Sequence, residues 1–197
     1  MTGIILAAGL SKRMGKQKLL MPVKGMPLVE RVISVVSTSK VDEIILVYHD
    51  EGVKAIGDKH GLNTVYNPNP QEGQTASLKL GLQKASPVSD GFVFFVGDQP
   101  LLDAACINKL IDAFYFHKDC IIVPDYQGQK GNPVIFPSTL RKELLQLEGD
   151  TGGREIIKRM PEKVIQIYID DDKHGKDMDT WEAYMEIEGW EIEKSNE

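Results

Sequence analysis

The strongest constraint on this chain is a set of short runs that are apolar at consecutive positions instead of alternating ones. Glu43–Tyr48 reads EIILVY and Gly91–Val96 reads GFVFFV. A strand with one face in water alternates apolar with polar residues; a strand apolar throughout is covered on both faces. Ile4–Ala8, Thr64–Tyr66 and Cys120–Val123 have the same character. Stretches with helical spacing lie between them. Pro27 opens one that carries Val29, Val32, Ile33 and Val36. Glu51 to His60 reads as a surface helix stopped by Gly61. A third carries Leu78, Leu82 and Ala85, and Asp103–Phe116 is a fourth. Strands and helices therefore alternate at β–α–β spacing. This predicts an α/β fold of three layers, with a doubly wound, mostly parallel sheet between helices. Val134–Phe136, Leu140–Leu147, Glu155–Arg159, Val164–Ile169 and Thr180–Glu188 continue the mixed pattern.

The 197 residues suit one domain, 1–197, with an acidic C-terminal tail from about residue 185. A chain of this size buries roughly 70% of its unfolded surface. No apolar run approaches the ~20 residues of a membrane helix, and charges follow Ile4–Ala8 instead of preceding it as in a signal peptide. Cys106 and Cys120 have no metal-type spacing and read as thiols of a reducing compartment. A cytoplasmic location without a membrane partner is expected. The formal net charge of −6 argues against nucleic acid as a partner.

The positive charge that exists is concentrated. LAAGLSKRMGKQK runs from Leu6 to Lys18, with Gly9 and Gly15 bracketing the first part and Lys12, Arg13, Lys16 and Lys18 within it. It follows the first strand directly. Open parallel sheets bind ligands outside the carboxyl ends of their strands. Glycines let backbone N–H groups approach an anion, and lysine and arginine add charge-assisted hydrogen bonds. The loop is neither a P-loop nor a dinucleotide fingerprint, because its glycine spacing differs and Gln17 stands where a P-loop has a hydroxyl.

Two further stretches should reach the same edge. In Gly97-Asp98-Gln99-Pro100, Asp98 leaves a buried strand where a carboxylate can hold Mg²⁺ beside phosphates; it equally fits a helix cap or a turn. In NPNPQEGQTASLKLGL, a proline-rich entry leads to Gly73-Gln74 and a helix carrying Ser77, polar groups able to read a base edge or simply to cap the helix. Later come Gly131-Asn132-Pro133 and a second glycine-rich loop, Gly149-Asp150-Thr151-Gly152-Gly153-Arg154, suited to an anion at a helix start. Asp177 and Asp179 precede the last helix, where capping is the ordinary role. Asp170-Asp171-Asp172 reads as a solvated turn, and the four histidines have no zinc spacing.

Taken in order, LAAGLSKRMGKQK, EGQTASLKLGL, GDQP, KGNPVIF, EGDTGGR and DMDT resemble the MobA-like nucleotidyltransferases, most closely the molybdenum-cofactor cytidylyltransferase branch. The match runs from Thr2 to about Tyr184, with Met178 where the family more often has isoleucine. The resemblance implies a Rossmann-like nucleotidyltransferase fold. It implies transfer of the nucleotide's α-phosphate, from CTP in preference to GTP, to the terminal phosphate of molybdopterin, with release of pyrophosphate. Leu6, Ala7, Ala8, Gly9, Gly73, Gln74 and Ser77 would then bind the nucleotide, together with Arg13 and Lys18. Arg13, Lys18 and Asp98 would be catalytic, and Asp98, Asp177 and Asp179 would hold Mg²⁺. Pro100, Asn132, Asp150, Gly152, Gly153 and Arg154 would face the molybdopterin-type cofactor, and a molybdenum hydroxylase would receive the product.

Nucleotidyl transfer to a phosphate needs in-line placement and charge neutralisation more than a strong base, which agrees with lysine, arginine and carboxylates and no catalytic histidine. Two other readings share the opening loop. One is a nucleotide-binding accessory or chaperone protein for molybdenum hydroxylases. The other is a nucleotidyltransferase on a sugar or alcohol phosphate.

Overall fold

A computed structural model describes residues 1–11 and 14–194, with side chains described as far as Gly189. The strands are β1 Thr2–Ala7, β2 Pro22–Val23, β3 Met26–Pro27, β4 Glu43–Tyr48, β5 Asn63–Tyr66, β6 Gly91–Val96, β7 Ile121–Tyr126, β8 Gln129–Lys130, β9 Val134–Pro137 and β10 Val164–Ile169. The helices are α1 Leu28–Ser37, α2 Glu51–Lys59, α3 Gln74–Lys84, α4 Ala104–Phe116, α5 Arg141–Leu145, α6 Arg154–Arg159 and α7 Trp181–Lys194.

Eight strands form the main sheet, in the order β10-β7-β9-β6-β1-β4-β5 with β8 paired to β7. β1 is central and pairs in parallel with β4 and β6, setting Ile4 beside Ile45 and Phe94. β9 runs antiparallel to β6 and β7, so the sheet is mostly, not wholly, parallel. β2 and β3 form a separate small hairpin.

Alternation along each strand divides the core into two. Ile5, Leu46, Val93 and Phe95 face one side, where α1, α2, α4 and α7 supply Val32, Val53, Ile107 and Ile187. Ile4, Ile45, Phe92 and Phe94 face the other, where α3, α5 and α6 supply Leu82, Leu144 and Ile156. Neighbours in sequence thus enter different cores, which is why the strands had to be apolar throughout. Fully burying one such side chain stabilises by about 1.5–3 kcal/mol.

The helix ends follow local chemistry. Asp50 and Asp103 accept from Gly52 N and Cys106 N at 2.7 Å, capping α2 and α4. The acidic stretch after Tyr184 continues α7, where Ile187 is buried and Glu188 Oε1 accepts from Lys24 N at 2.9 Å.

Candidate active site

β1, β5 and β6 end at one edge of the sheet, and the segments that follow them wall an open cavity of about 550 Å³. Leu6, Ala8, Gly9 and Lys18 line one side, Gly73, Gln74 and Ser77 another, and Asp98 the floor. Asp150, Arg154 and Asp179 complete the wall. The sequence-predicted edge is therefore where the structure opens.

Lys18 lies at the centre. Its Nζ donates to Asp98 Oδ2 at 2.5 Å and to Asp179 Oδ1 at 2.6 Å, across 80 and 161 residues of chain. Burial pulls its pKa down, but the two carboxylates, Asp98 foremost, outweigh burial and the net shift is upward. The ammonium is accordingly charged at neutral pH. The other oxygen of Asp98, Oδ1, is buried without a partner among the described residues. A buried acceptor left unpaired costs about 1–3 kcal/mol, so this oxygen is suited to a ligand.

Asp177 sits beside this pair. Neighbouring protein atoms strip away part of its solvation although one side still meets water, and the charges of Asp98 and Asp179 add to that effect. A hydrogen bond with Gln99 opposes them, and its pKa settles at about 6. The backbone holds the three carboxylates together: Met178, wholly buried, donates its N–H to the Asp98 carbonyl at 2.9 Å. Gln99 Nε2 donates to the Gly175 carbonyl at 3.1 Å. Thr180 Oγ1 accepts from Ala183 N at 3.2 Å and caps α7.

Among the described residues, no three His, Cys, Asp or Glu side chains converge to hold a metal ion. Of the predicted trio, Asp98 and Asp179 hold the Lys18 ammonium, and Asp177 lies beside them. The donor set still fits a hard divalent cation: two carboxylates already face one positive charge, and Asp98 Oδ1 is unspent.

The opening loop is tied by Ser11 and Gln17. Ser11 Oγ donates to Gln17 Oε1 at 2.9 Å and accepts from Lys18 N at 3.1 Å. Gln17, out of place as a P-loop hydroxyl, thus closes the loop. Arg13 lies outside the described residues. Leu6 and Ala8 face the cavity, whereas Ala7 is buried in the opposite core, as strand alternation requires.

The two later glycine-bearing stretches meet. Asp150 Oδ1 accepts the Gln74 N–H at 2.6 Å and so caps α3 from 76 residues away. A Cβ on Gly73, whose φ is +83°, would sit 1.8 Å from that oxygen. Gly152 N donates to Thr75 Oγ1 at 3.0 Å. Ser77 Oγ accepts from Asn67 Nδ2 at 2.9 Å, so buried Asn67 orients a hydroxyl on the cavity wall. Asn132 and Gly153 line a small apolar recess beside the main cavity, and Arg154 lines both. The Asn132 carbonyl accepts from Tyr126 Oη at 2.6 Å. Pro100 is buried and lines none of these cavities. Cys106 and Cys120 are free thiols, and no described helix is long and apolar enough to cross a membrane.

Known proteins resemble this chain in sequence and in fold. A probable molybdenum cofactor guanylyltransferase of Thermococcus gammatolerans is 33% identical over 73% of this chain and 73% of its own. Nicotine blue oxidoreductase of Paenarthrobacter nicotinovorans is 27% identical over 94% and 95%. Among solved structures, Rv0371c of Mycobacterium tuberculosis superposes with a TM-score of 0.85 at 28% identity, covering 95% of this chain and 96% of that one. A complex of Rv0371c with manganese superposes at 0.80, with 27% identity and coverage of 95% and 97%. Residues 3–164, from the first strand through the glycine-rich loop that meets α3, match the MobA-like NTP transferase domain, and the chain belongs to that family.

Proposed function

We propose that this chain joins CTP to the terminal phosphate of a molybdopterin-type cofactor and releases pyrophosphate. The observation that carries this reading is Lys18 Nζ held between Asp98 and Asp179 in a cavity walled by the Gly9 loop. A cation, carboxylates and open backbone at one strand edge are what a triphosphate and its metal require.

A terminal phosphate oxygen of the cofactor attacks the α-phosphorus of CTP, and the bond to the bridging oxygen of the β-phosphate breaks. Both electrons of that bond leave with pyrophosphate. The attacking oxygen is already anionic, so no side chain has to remove a proton. Lys18 and Arg13 neutralise charge on the phosphates, and the Gly9 loop offers its backbone to them. Mg²⁺ held by Asp98 with Asp179 or Asp177 supplies further charge neutralisation when bound. Gln74 and Ser77 lie on the base side; Asn132, Asp150 and Arg154 lie on the acceptor side.

The preference for CTP rests on Ala8. Ala8 is 4% exposed and lines the cavity. A methyl there takes room that a purine needs more than a pyrimidine does. One such group is worth ~1–3 kcal/mol of discrimination. Ala8→Gly should relax the preference towards GTP. Competition of unlabelled CTP and GTP for the bound nucleotide tests this, and tighter GTP binding by the unmodified protein overturns it. Incubation with each nucleoside triphosphate, Mg²⁺ and molybdenum cofactor, with pyrophosphate measured, tests the transfer itself.

The accessory reading is separated from transfer by one outcome. It predicts nucleotide binding without pyrophosphate release. A sugar or alcohol phosphate as acceptor would show itself as release that needs no molybdenum cofactor.

A further inference from the structure

Tyr126 is the last residue of β7, and the sheet decides where it emerges. β9 is antiparallel to both β6 and β7, so β7 runs in the same sense as β6 and ends at the cavity edge. Beyond it the chain turns through β8 and returns as Gly131-Asn132-Pro133 before β9. The Tyr126 side chain is buried, and it lines neither the main cavity nor the recess beside it. Any effect it has on a ligand must therefore pass through other residues.

Three contacts show which ones. Tyr126 Oη donates to the Asn132 carbonyl at 2.6 Å. A Cβ on Gly131 would lie 2.8 Å from Tyr126 Cε2, and one on Gly175 would lie 2.6 Å from Cδ2. Two loops distant in sequence thus bring bare backbone against one edge of the same ring. Gly175 is in turn held by Gln99: its carbonyl accepts from Gln99 Nε2 at 3.1 Å, and Gln99 directly follows Asp98. The Asn132 turn, the Tyr126 ring, Gly175 and the Asp98 turn are therefore linked in one continuous series.

Transfer needs the attacking phosphate in line with the α-phosphorus, and a misplacement of about 1 Å can cost ~10²-fold. In the proposed function, on which this inference rests, Asn132 lies on the acceptor side and Asp98 beside the nucleotide's phosphates. We infer that Tyr126 is a positioning residue for the acceptor: it braces the Asn132 turn against Gly175 and so fixes the acceptor side relative to the Asp98 turn. Tyrosine suits this task on two counts. Its ring fills the gap between two backbones, and its hydroxyl satisfies a carbonyl that would otherwise lack this donor.

The first test is steady-state pyrophosphate release with CTP, Mg²⁺ and molybdenum cofactor. Tyr126→Phe keeps the ring and removes the bond to Asn132. Its KM for molybdenum cofactor should rise on the order of tenfold, with the CTP dissociation constant from calorimetric titration within about twofold of the wild type. A residue that only stabilised the fold would lower the melting temperature without separating the two substrates. Gly131→Ala presses on the ring from the turn and should show the same split. The second test uses the protein alone, with amide hydrogen exchange read by mass spectrometry. Exchange at residues 131–134 should quicken in Tyr126→Phe. It should quicken there also in Gly175→Ala, whose methyl lies far along the chain but against the same ring. Exchange unchanged at 131–134 in both variants overturns the brace. A KM for molybdenum cofactor unmoved in both Tyr126→Phe and Gly131→Ala overturns its role in placing the acceptor. Faster exchange beside a wild type that releases no pyrophosphate sinks the proposed function alone.

Discussion

The two glycine-rich loops of this chain look alike in composition and do opposite things. In the first, a Cβ placed on Gly9 would meet nothing within 4 Å among the described residues. In the second, a Cβ on Gly153 would come within 2.5 Å of the Phe136 ring, and one on Gly152 within 3.1 Å of Gln74 Oε1. The first loop leaves space against solvent and the cavity, as a loop that receives a ligand must. The second uses its glycines to lie flat on the protein, where Asp150 caps α3 and Gly152 bonds to Thr75. Glycine therefore marks close approach in the second loop and open space in the first, a difference that only the geometry shows.

Substitutions can break this contrast, and the largest effect belongs to the first region. Asp98→Asn removes the carboxylate that Lys18 holds and should lower turnover by ~10²-fold or more, while the melting temperature stays near that of the wild type. A near-normal rate in steady-state pyrophosphate release would take Asp98 out of the site.

Gly153→Ala belongs to the second region and should act on stability. Its methyl would press on Phe136, which is itself buried, and overpacking of this kind costs about 1–3 kcal/mol. Urea denaturation would register this as a lowered midpoint at unchanged slope. An unchanged midpoint would mean that the loop lifts freely, and the contrast with Gly9 would fail.

Asp150→Ala sharpens the same side. Loss of a carboxylate cap costs ~1 kcal/mol, so the variant should unfold at a modestly lower urea concentration. If Asp150→Asn, which keeps an acceptor oxygen, recovered nothing, the capping role would be wrong.

Gly9→Ala should have the smallest effect on stability, within about 0.5 kcal/mol, because the added methyl touches nothing described. Its effect should fall on nucleotide binding, measured by calorimetric titration with CTP. A loss of stability equal to that of Gly153→Ala would erase the distinction between the loops.

Much of the fold was legible beforehand. Glu43–Tyr48 and Gly91–Val96 are strands at the bounds read from their composition, because a strand buried on both faces leaves an unbroken apolar run. The edge that opens into the cavity was legible for a related reason. A parallel sheet puts all its strand ends on one side, so Gly9, Gly73 and Asp98 converge whatever the loop details.

The roles of individual residues were less legible, and strand period explains part of this. Ala7 and Ala8 are the same residue type, yet one faces a core and the other the cavity, a choice set by the register of β1 against β4 and β6. Asp177, Asp179 and Thr180 are all ordinary caps. Thr180 caps α7, while Met178, buried and bound to the Asp98 carbonyl, holds Asp177 and Asp179 beside Asp98.

By itself the sequence determined which segments are the longer strands, and that positive charge and carboxylates meet at one edge of their sheet, because hydrophobic period and loop composition are local properties. The tertiary structure alone decided that Lys18 lies between Asp98 and Asp179, that Asp150 closes α3, and that Asn67 orients Ser77. The first two join residues 76 or more positions apart, and the third needs the loop after β5 folded back onto α3. Such contacts have no local signature, since a carboxylate carries the same chemistry whether its partner is a metal, an ammonium or a helix end, and only packing chooses among them.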